Sequence, residues 1–243
     1  MGGIINAYLD CVSPYSYFAL LHLRKHRAVL ATHGIKIEVI PVFLGGINVG
    51  SGNTPPWKLP AKARYAEYDR KRAVKYFGVP DFTPPDFFPI LSLLPQRAIT
   101  YIKATYDRER FESTFLLLWQ HLFYRHRDIS KPENLARLLS EDARFTDPEV
   151  QAILAAANEQ KWKDALLANT KEALERGAFG APWFWVVNDE GEGAMFFGSD
   201  RFHYMWEFLK VPFDDIKLHP KSDGNGNGNT SKDVTSKLPE PKL

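Results

Sequence analysis

Residues 10–18 read DCVSPYSYF and mark an abrupt change in the character of the chain. The residues before them, Ile4–Leu9, form a short apolar run that is typical of a buried strand. Ser13 and Pro14 are residue types favoured at the N-cap and first position of a helix, and they predict a helix that runs to about Thr32. The quoted stretch is therefore predicted to be a strand end, a tight turn and the start of a helix.

The rest of the chain divides into a second strand, a long helical block and a return to strands. Residues 35–43 (IKIEVIPVF) alternate in polarity and predict a strand, so the chain begins with a βαβ unit whose strands are parallel. Residues 45–60 are predicted to be an irregular loop. Helices are then predicted at residues 61–77, 96–106, 111–126, 132–139, 148–156 and 159–176. A β-hairpin and a final helix are predicted at residues 182–188, 194–197 and 199–210.

A βαβ unit followed by a ββα unit around one sheet is the thioredoxin arrangement. The sequence therefore predicts an α/β protein with a thioredoxin-like fold and an inserted all-helical domain. The first half of the thioredoxin-like domain is predicted at residues 1–60, the helical insertion at 61–177 and the second half at 178–219. Residues 220–243 are polar and rich in Gly and Asn, which predicts a disordered tail.

The predicted helix start at Ser13 is suited to binding an anion or a thiolate. Backbone N–H groups and the positive end of the helix dipole meet there. Ser13 and Ser16 have the spacing of the C-x-x-C motif of thioredoxin-like oxidoreductases, with oxygen in place of sulfur. A hydroxyl cannot form a disulfide, but it can donate a hydrogen bond to a bound thiolate and lower the thiol pKa. The alternative is that Ser13 only caps the helix.

The dipeptide Ala181-Pro182 comes directly before a predicted strand. In this topology it is the place where thioredoxin-like folds hold a cis-proline. The residue before such a proline offers backbone N–H and C=O groups to an extended peptide, which binds like an added strand. The alternative is an ordinary trans proline at a strand start.

Two further segments carry polar groups that could meet Ser13 when the two halves of the fold come together. Ser199 and Asp200 lie at the start of the last predicted helix, where they could hold a carboxylate and an ammonium group. Asn53 could bond a ligand backbone, and Lys62 could pair with a carboxylate. The alternatives are plain helix capping for the first pair and solvated surface positions for the second.

The composition argues against several classes of function. Lys and Arg number 31 against 29 for Asp and Glu, so nucleic acid is not predicted as a partner. No apolar run approaches the ~20 residues of a membrane span, and the start of the chain lacks signal-peptide features. The single cysteine, Cys11, excludes an internal disulfide and indicates a reducing, intracellular compartment. His22 and His26 lack a third ligand at suitable spacing, so no metal is predicted.

Five motifs together resemble a known family: D-x-x-SPYSY, SGN-x-PP, P-x-K-x-x-Y, GAFG-x-P and FGSDR. In this order, over roughly residues 4–210, they resemble the kappa-class glutathione transferases, and bacterial 2-hydroxychromene-2-carboxylate isomerases share much of the pattern. The resemblance implies a thioredoxin-like domain with an inserted helical domain, a homodimer, and glutathione as co-substrate with no metal.

The resemblance also implies roles for matching positions. Ser13 would stabilise the glutathione thiolate, Ala181 would bind the cysteinyl backbone beside a cis-Pro182, and Ser199 with Asp200 would hold the γ-glutamyl end. The other residues implied to bind glutathione are Tyr15, Ser16, Asn53, Lys62, Tyr65 and Gly198. Bulky residues follow the proline at 183–185, where relatives usually carry small or aliphatic groups, and this departure leaves the second substrate open.

The predicted function is a glutathione transferase whose thiolate attacks a small hydrophobic electrophile or a peroxide. The alternatives are a glutathione-dependent isomerase of the 2-hydroxychromene-2-carboxylate type and a non-catalytic glutathione- or peptide-binding module. A disulfide oxidoreductase is opposed by the missing C-x-x-C. Cytoplasm, peroxisome and mitochondrion all stay open as locations, because the C-terminal PKL is only a near match to the SKL signal.

Overall fold

The structure, a computed structural model, describes residues 2–214. The predicted tail at 220–243, the end of the second half at 215–219 and the C-terminal PKL lie outside the described residues. Of the described residues, 2–213 form one compact unit. The predicted division of the chain at residues 60 and 177 stays a prediction.

Four strands form one mixed sheet. They are β1 (Ile4–Leu9), β2 (Lys36–Pro41), β3 (Trp183–Val187) and β4 (Gly193–Phe197), in the spatial order β2-β1-β3-β4. β1 and β2 are parallel, with Ile4 opposite Lys36, whereas β3 runs antiparallel to both β1 and β4. This arrangement confirms the prediction of a thioredoxin-like α/β fold.

The helices lie between and after these strands. α1 (Pro14–Thr32) connects β1 to β2, and a seven-residue helix, α9 (Phe202–Phe208), follows β4. Between β2 and β3 the chain forms α2 (Leu44–Ser51), a 3-10 turn (Pro56–Lys58), α3 (Pro60–Tyr76), α4 (Leu93–Thr105), α5 (Arg108–Phe123), α6 (Pro132–Arg137), a π-helical turn (Leu138–Asp142), α7 (Asp147–Ala156) and α8 (Gln160–Glu175). The helical block is therefore present where the sequence predicts it. α4 and α5 begin three residues earlier than predicted, at Leu93 and Arg108 in place of 96 and 111.

Two local predictions are wrong. Residues 45–60 are not an irregular loop, because α2 and the 3-10 turn lie within them. The glycines of α2 disfavour a helix, but Ile47 is fully buried there and tertiary packing outweighs propensity. Ser199 does not cap the last helix, because α9 begins only at Phe202, with Arg201 in the N-cap position. Gly198, at φ +91°, directs the chain into a turn before the helix starts.

The sheet has an apolar core on each face. Ile5, Ala7 and Leu9 of β1 pack on the side that α1, α4–α7 and α9 cover. Tyr8 points to the opposite face, where it joins a smaller cluster with residues of β2, α2 and α8. The alternation along β1 thus places the two layers of helices on either side of one sheet.

A buried ion-pair cluster joins α1 to α5 within the larger layer. Glu112 is 2% exposed and pairs with Arg27 and, at 3.7 Å, with Arg24. Burial raises the pKa of Glu112, and the two arginines partly oppose this effect. The cluster lies on the α1–α5 contact, and its carboxylate bonds no residue of the predicted site.

His22 should make the stability of the protein sensitive to mild acid. Its ring stacks on Phe202 at 4.1 Å, and burial, with the charges of His26 and Lys25, lowers its pKa from 6.5 to about 4. A depressed pKa means that this stabilisation is complete above pH 6.5 and is lost as the pH falls towards 4. From about pH 7 to about pH 5, the unfolding free energy should fall by about 1–2 kcal/mol more in the wild type than in His22→Leu. Denaturant titrations at both pH values measure this difference, and equal losses in the two proteins would contradict it.

Candidate functional site

Ser13 lies at the N-cap of α1, as predicted, but its hydroxyl is also engaged with a distant segment. Its Oγ accepts a hydrogen bond from the Ser16 amide at 3.2 Å, which is the capping bond. The same hydroxyl donates to the Ala181 carbonyl at 2.8 Å. Ser13 is only 4% exposed. The helix start and the segment before β3 therefore meet at this hydroxyl.

The segment before β3 has the predicted backbone form. The Ala181–Pro182 peptide bond is cis. The Pro182 carbonyl accepts from the Gly198 amide at 3.2 Å, which ties the end of β4 to the proline. The Asn53 side-chain amide donates to the Phe179 carbonyl at 2.6 Å. Asn53, Ala181 and Gly198 are thus brought to the same end of the sheet as Ser13.

Tyr15 connects α1 to Asp69 of α3, and Tyr65 of the same helix bonds the same carboxylate. The Tyr15 hydroxyl donates to Asp69 at 2.6 Å, and the Tyr65 hydroxyl donates to the other oxygen of Asp69 at 3.4 Å. Burial and the Asp69 carboxylate raise the pKa of Tyr15, so its phenol stays protonated. Lys62 lies exposed in the first turn of α3, a helix that has no buried residue.

The remaining predicted residues differ in accessibility. Ser16 is fully buried, and its hydroxyl accepts from the Asp10 amide at 3.5 Å. Ser199 is 4% exposed in the turn before α9, whereas Asp200 is exposed and contacts Arg201. In this conformation Asp200 is therefore open to a ligand, and Ser16 and Ser199 lie beneath the surface.

Two residues that the sequence analysis missed, Trp119 and Asp10, bond Ser13 and the turn before it. The Trp119 indole donates to the Ser13 carbonyl at 2.9 Å. Trp119 also belongs to a buried apolar stripe on α5, with Phe115, Leu118 and Leu122. Asp10, which precedes the turn, is fully buried. The one sequence feature that could have pointed to Asp10 is the presence of a charged residue at the end of an apolar strand.

The other reactive or ligating residues do not form a site of their own. Cys11 is buried, and burial beside Asp10 raises the pKa of its thiol. Among residues 2–214, no group of three or more His, Cys, Asp or Glu is placed to hold a metal ion. In the same part of the chain, no helix is long and apolar enough to cross a bilayer.

Comparisons with known proteins agree with this architecture. A family model described as a DsbA-like thioredoxin domain matches residues 4–210. Glutathione S-transferase kappa 1 of Caenorhabditis elegans is 31% identical over 213 residues, covering 86% of this chain and 91% of that protein. The human protein of the same name is 29% identical over 209 residues, covering 84% and 90%.

Solved structures show the same fold at lower identity. A 2-hydroxychromene-2-carboxylate isomerase superposes with a TM-score of 0.68 at 20% identity, covering 85% of this chain and 94% of that chain. A cytosolic disulfide reductase, DsbM of Pseudomonas aeruginosa, superposes with a TM-score of 0.60 at 15% identity, covering 86% and 100%. The matches in sequence extend over nearly the whole described chain and confirm the resemblance inferred from the five motifs. We conclude that the chain belongs to the DsbA-like thioredoxin family and, within it, to the kappa class of glutathione transferases, a class of enzymes.

Proposed function

We propose that this protein is a glutathione transferase that binds glutathione in an extended pose along Ala181 and activates its thiol with Ser13. The observation that carries the proposal is the 2.8 Å bond from the Ser13 hydroxyl to the Ala181 carbonyl. It brings the Ser13 hydroxyl, which can stabilise a thiolate, into contact with the Ala181 backbone, which can bind an extended peptide. The kappa-class relatives, which are named glutathione transferases, support the choice of glutathione as that peptide.

Binding would exchange the partners of this hydrogen bond. The cysteinyl N–H of glutathione would donate to the Ala181 carbonyl, as in the addition of a strand. The Ser13 hydroxyl would then turn to donate to the sulfur. The Ala181 carbonyl and the Ser13 hydroxyl would thus each exchange one hydrogen-bond partner for another. Asn53 would hold the Ala181 segment in place through Phe179. Lys62 and Asp200, both exposed, would meet the carboxylate and ammonium ends of the ligand.

The chemistry follows from stabilising the thiolate. The thiol proton leaves to solvent, and the sulfur lone pair forms a bond to the electrophilic atom of the second substrate as the leaving group departs. Phe179 and Phe197 are 43% and 40% exposed, with ring centroids 4.6 Å apart. Phe179 lies two residues before Ala181, and Phe197 is paired on β4 with Trp183, the residue after Pro182. Their exposed rings beside this segment support a hydrophobic electrophile as the second substrate.

The alternatives predict different products. An isomerase would use the same thiolate in a reversible addition to a conjugated aromatic acid, so product analysis separates it from transfer. A binding module would hold glutathione without forming a thiolate at neutral pH. A disulfide oxidoreductase is opposed by the single cysteine, which is buried with a raised thiol pKa.

The test is a glutathione titration that follows ultraviolet thiolate absorbance against pH. We expect the thiol pKa of bound glutathione to lie about 1–2 units below that of a free thiol, because a hydroxyl and a helix N-terminus favour the anion. S-Methylglutathione, which has no thiol, is the control and should bind without the absorbance change. Binding with an unshifted thiol pKa would favour the binding module, and no binding would refute the proposal.

A further inference from the structure

We propose that Asp10 is the positioning residue of this site, and that its buried carboxylate holds three separate segments in register around Ser13. The inference rests on the proposed function, since it concerns the same glutathione site. Asp10 is fully buried, so its carboxylate is not proposed to contact the ligand itself. Its role would be to fix the positions of the residues that do.

The Asp10 carboxylate accepts hydrogen bonds from three different parts of the chain. Oδ1 accepts from the Val12 amide at 2.9 Å, within the turn that leads to Ser13. Oδ2 accepts from the Leu44 amide, at the first residue of α2, at 2.7 Å. The same oxygen accepts from the Ser92 hydroxyl, just before α4, at 2.8 Å.

Two of these segments lead directly to predicted site residues. The Ser13 amide donates to the Asp10 carbonyl at 3.0 Å, so both ends of the turn are tied to Asp10. α2 ends next to Asn53, whose side chain donates to Phe179, two residues before Ala181. A change in the position of Asp10 would therefore displace both partners of the Ser13–Ala181 hydrogen bond.

The third segment comes from the helical block. Ser92 stands at the N-cap of α4, but its hydroxyl bonds Asp10 and does not cap that helix. From the first turn of α4, Gln96 donates to the Leu9 carbonyl at 3.0 Å and to the Val42 carbonyl at 2.6 Å. α4 thus supplies polar side chains that hold the ends of β1 and β2, and the carboxylate connects them to the turn before Ser13.

The chemistry of the contacts explains why an aspartate stands here. The groups bonded to the carboxylate are uncharged, and burial raises its pKa to about 6. A buried carboxylate without a cation is costly, so stability alone is a poor reason to keep it. An asparagine of the same size has only one acceptor oxygen, and its NH2 group would face the amide of Val12 or of Leu44. One backbone donor would then lose its partner and its segment would move.

The experiment compares Asp10→Asn with Glu112→Gln, a matched change at a buried carboxylate outside the site. Glutathione affinity is measured by calorimetry, and the pKa of the bound thiol by thiolate absorbance, on the full chain. For Asp10→Asn we expect about tenfold weaker binding and a bound-thiol pKa raised by about one unit. Glu112→Gln should match the wild type in both, even where it lowers the unfolding free energy. A purely stabilising role for Asp10 would not move the thiol pKa.

The outcomes separate this inference from the proposed function. If the wild type binds glutathione with a lowered thiol pKa and Asp10→Asn does the same, the role of Asp10 is overturned and the proposed function stands. Equal shifts in Asp10→Asn and Glu112→Gln would also overturn it. If the wild type does not bind glutathione, both the proposed function and the role of Asp10 are overturned. Should Asp10→Asn not fold, Ser92→Ala removes only one donor and should weaken binding about threefold, and unchanged binding in that variant would overturn the inference.

Discussion

Replacing Ser13 with alanine should raise the thiol pKa of bound glutathione by about 1–2 units and slow the transfer of glutathione to an aryl halide by about 10–100-fold. The hydroxyl is the side-chain donor that lies against the Ala181 carbonyl, where the cysteinyl backbone is proposed to bind. Alanine has no donor, so the thiolate would lose a charge-assisted hydrogen bond. Steady-state rates against pH, together with thiolate absorbance, measure both effects.

The variant must be separated from a general loss of stability. Ser13→Ala also removes the N-cap bond to the Ser16 amide, which should cost about 1 kcal/mol of unfolding free energy. Rates are therefore compared under conditions in which both proteins are folded. Ser113→Ala, on the outer surface of α5 where its hydroxyl bonds Glu109, makes the same chemical change away from the site and should keep the wild-type rate. Wild-type turnover by Ser13→Ala would rule out the serine mechanism.

Trp119→Ala should lower the unfolding free energy by about 3–5 kcal/mol, as is typical when a buried aromatic ring is removed. Trp119 is fully buried, and its ring stacks on Phe115 with centroids 4.5 Å apart. Trp119→Phe keeps most of the packing but removes the indole donor to the Ser13 carbonyl, which should cost about 0.5–1.5 kcal/mol because that carbonyl keeps its bonds from the Ser16 and Tyr17 amides. Urea titrations of the two variants and the wild type measure both losses.

The indole bond should also matter for binding, because it fixes the backbone of Ser13. Trp119→Phe is therefore expected to weaken glutathione binding by a few-fold, about 3–10 times. Trp162→Phe is the matched control, since Trp162 of α8 is also buried but packs against Tyr101 and not against Ser13. Equal effects of the two changes on glutathione binding would show that the Trp119–Ser13 hydrogen bond has no specific role in binding.

Much of the fold could be predicted from short-range patterns. Ser13-Pro14 at a strand end, the alternation in residues 35–43 and the final hairpin gave the order of the strands and, apart from α2, of the helices correctly. The cis peptide at Ala181–Pro182 was predicted from topology and is present. α2 was missed because its glycines disfavour a helix and only the burial of Ile47 and the bond from Leu44 to Asp10 reveal why it forms. Ser199 was misplaced because Gly198 delays the start of α9.

The site was predicted only in part. Motif order placed Ser13, Asn53 and Ala181 together, and the structure links them through the carbonyls of Phe179 and Ala181. Asp10, Ser92 and Trp119 were missed. Each contacts its partner across 34 to 106 positions of sequence, and nothing in the local pattern marks such a pair.

Apart from α2, local patterns in the amino-acid sequence determined the elements of this protein and their order, because caps, turns and periodic burial depend on neighbours a few residues apart. The tertiary structure alone decided what the Ser13 hydroxyl contacts, which segments the Asp10 carboxylate joins, and where the last helix begins. These features depend on which distant groups meet once the strands and helices have packed together. A buried polar group must find a partner there, wherever in the chain that partner lies.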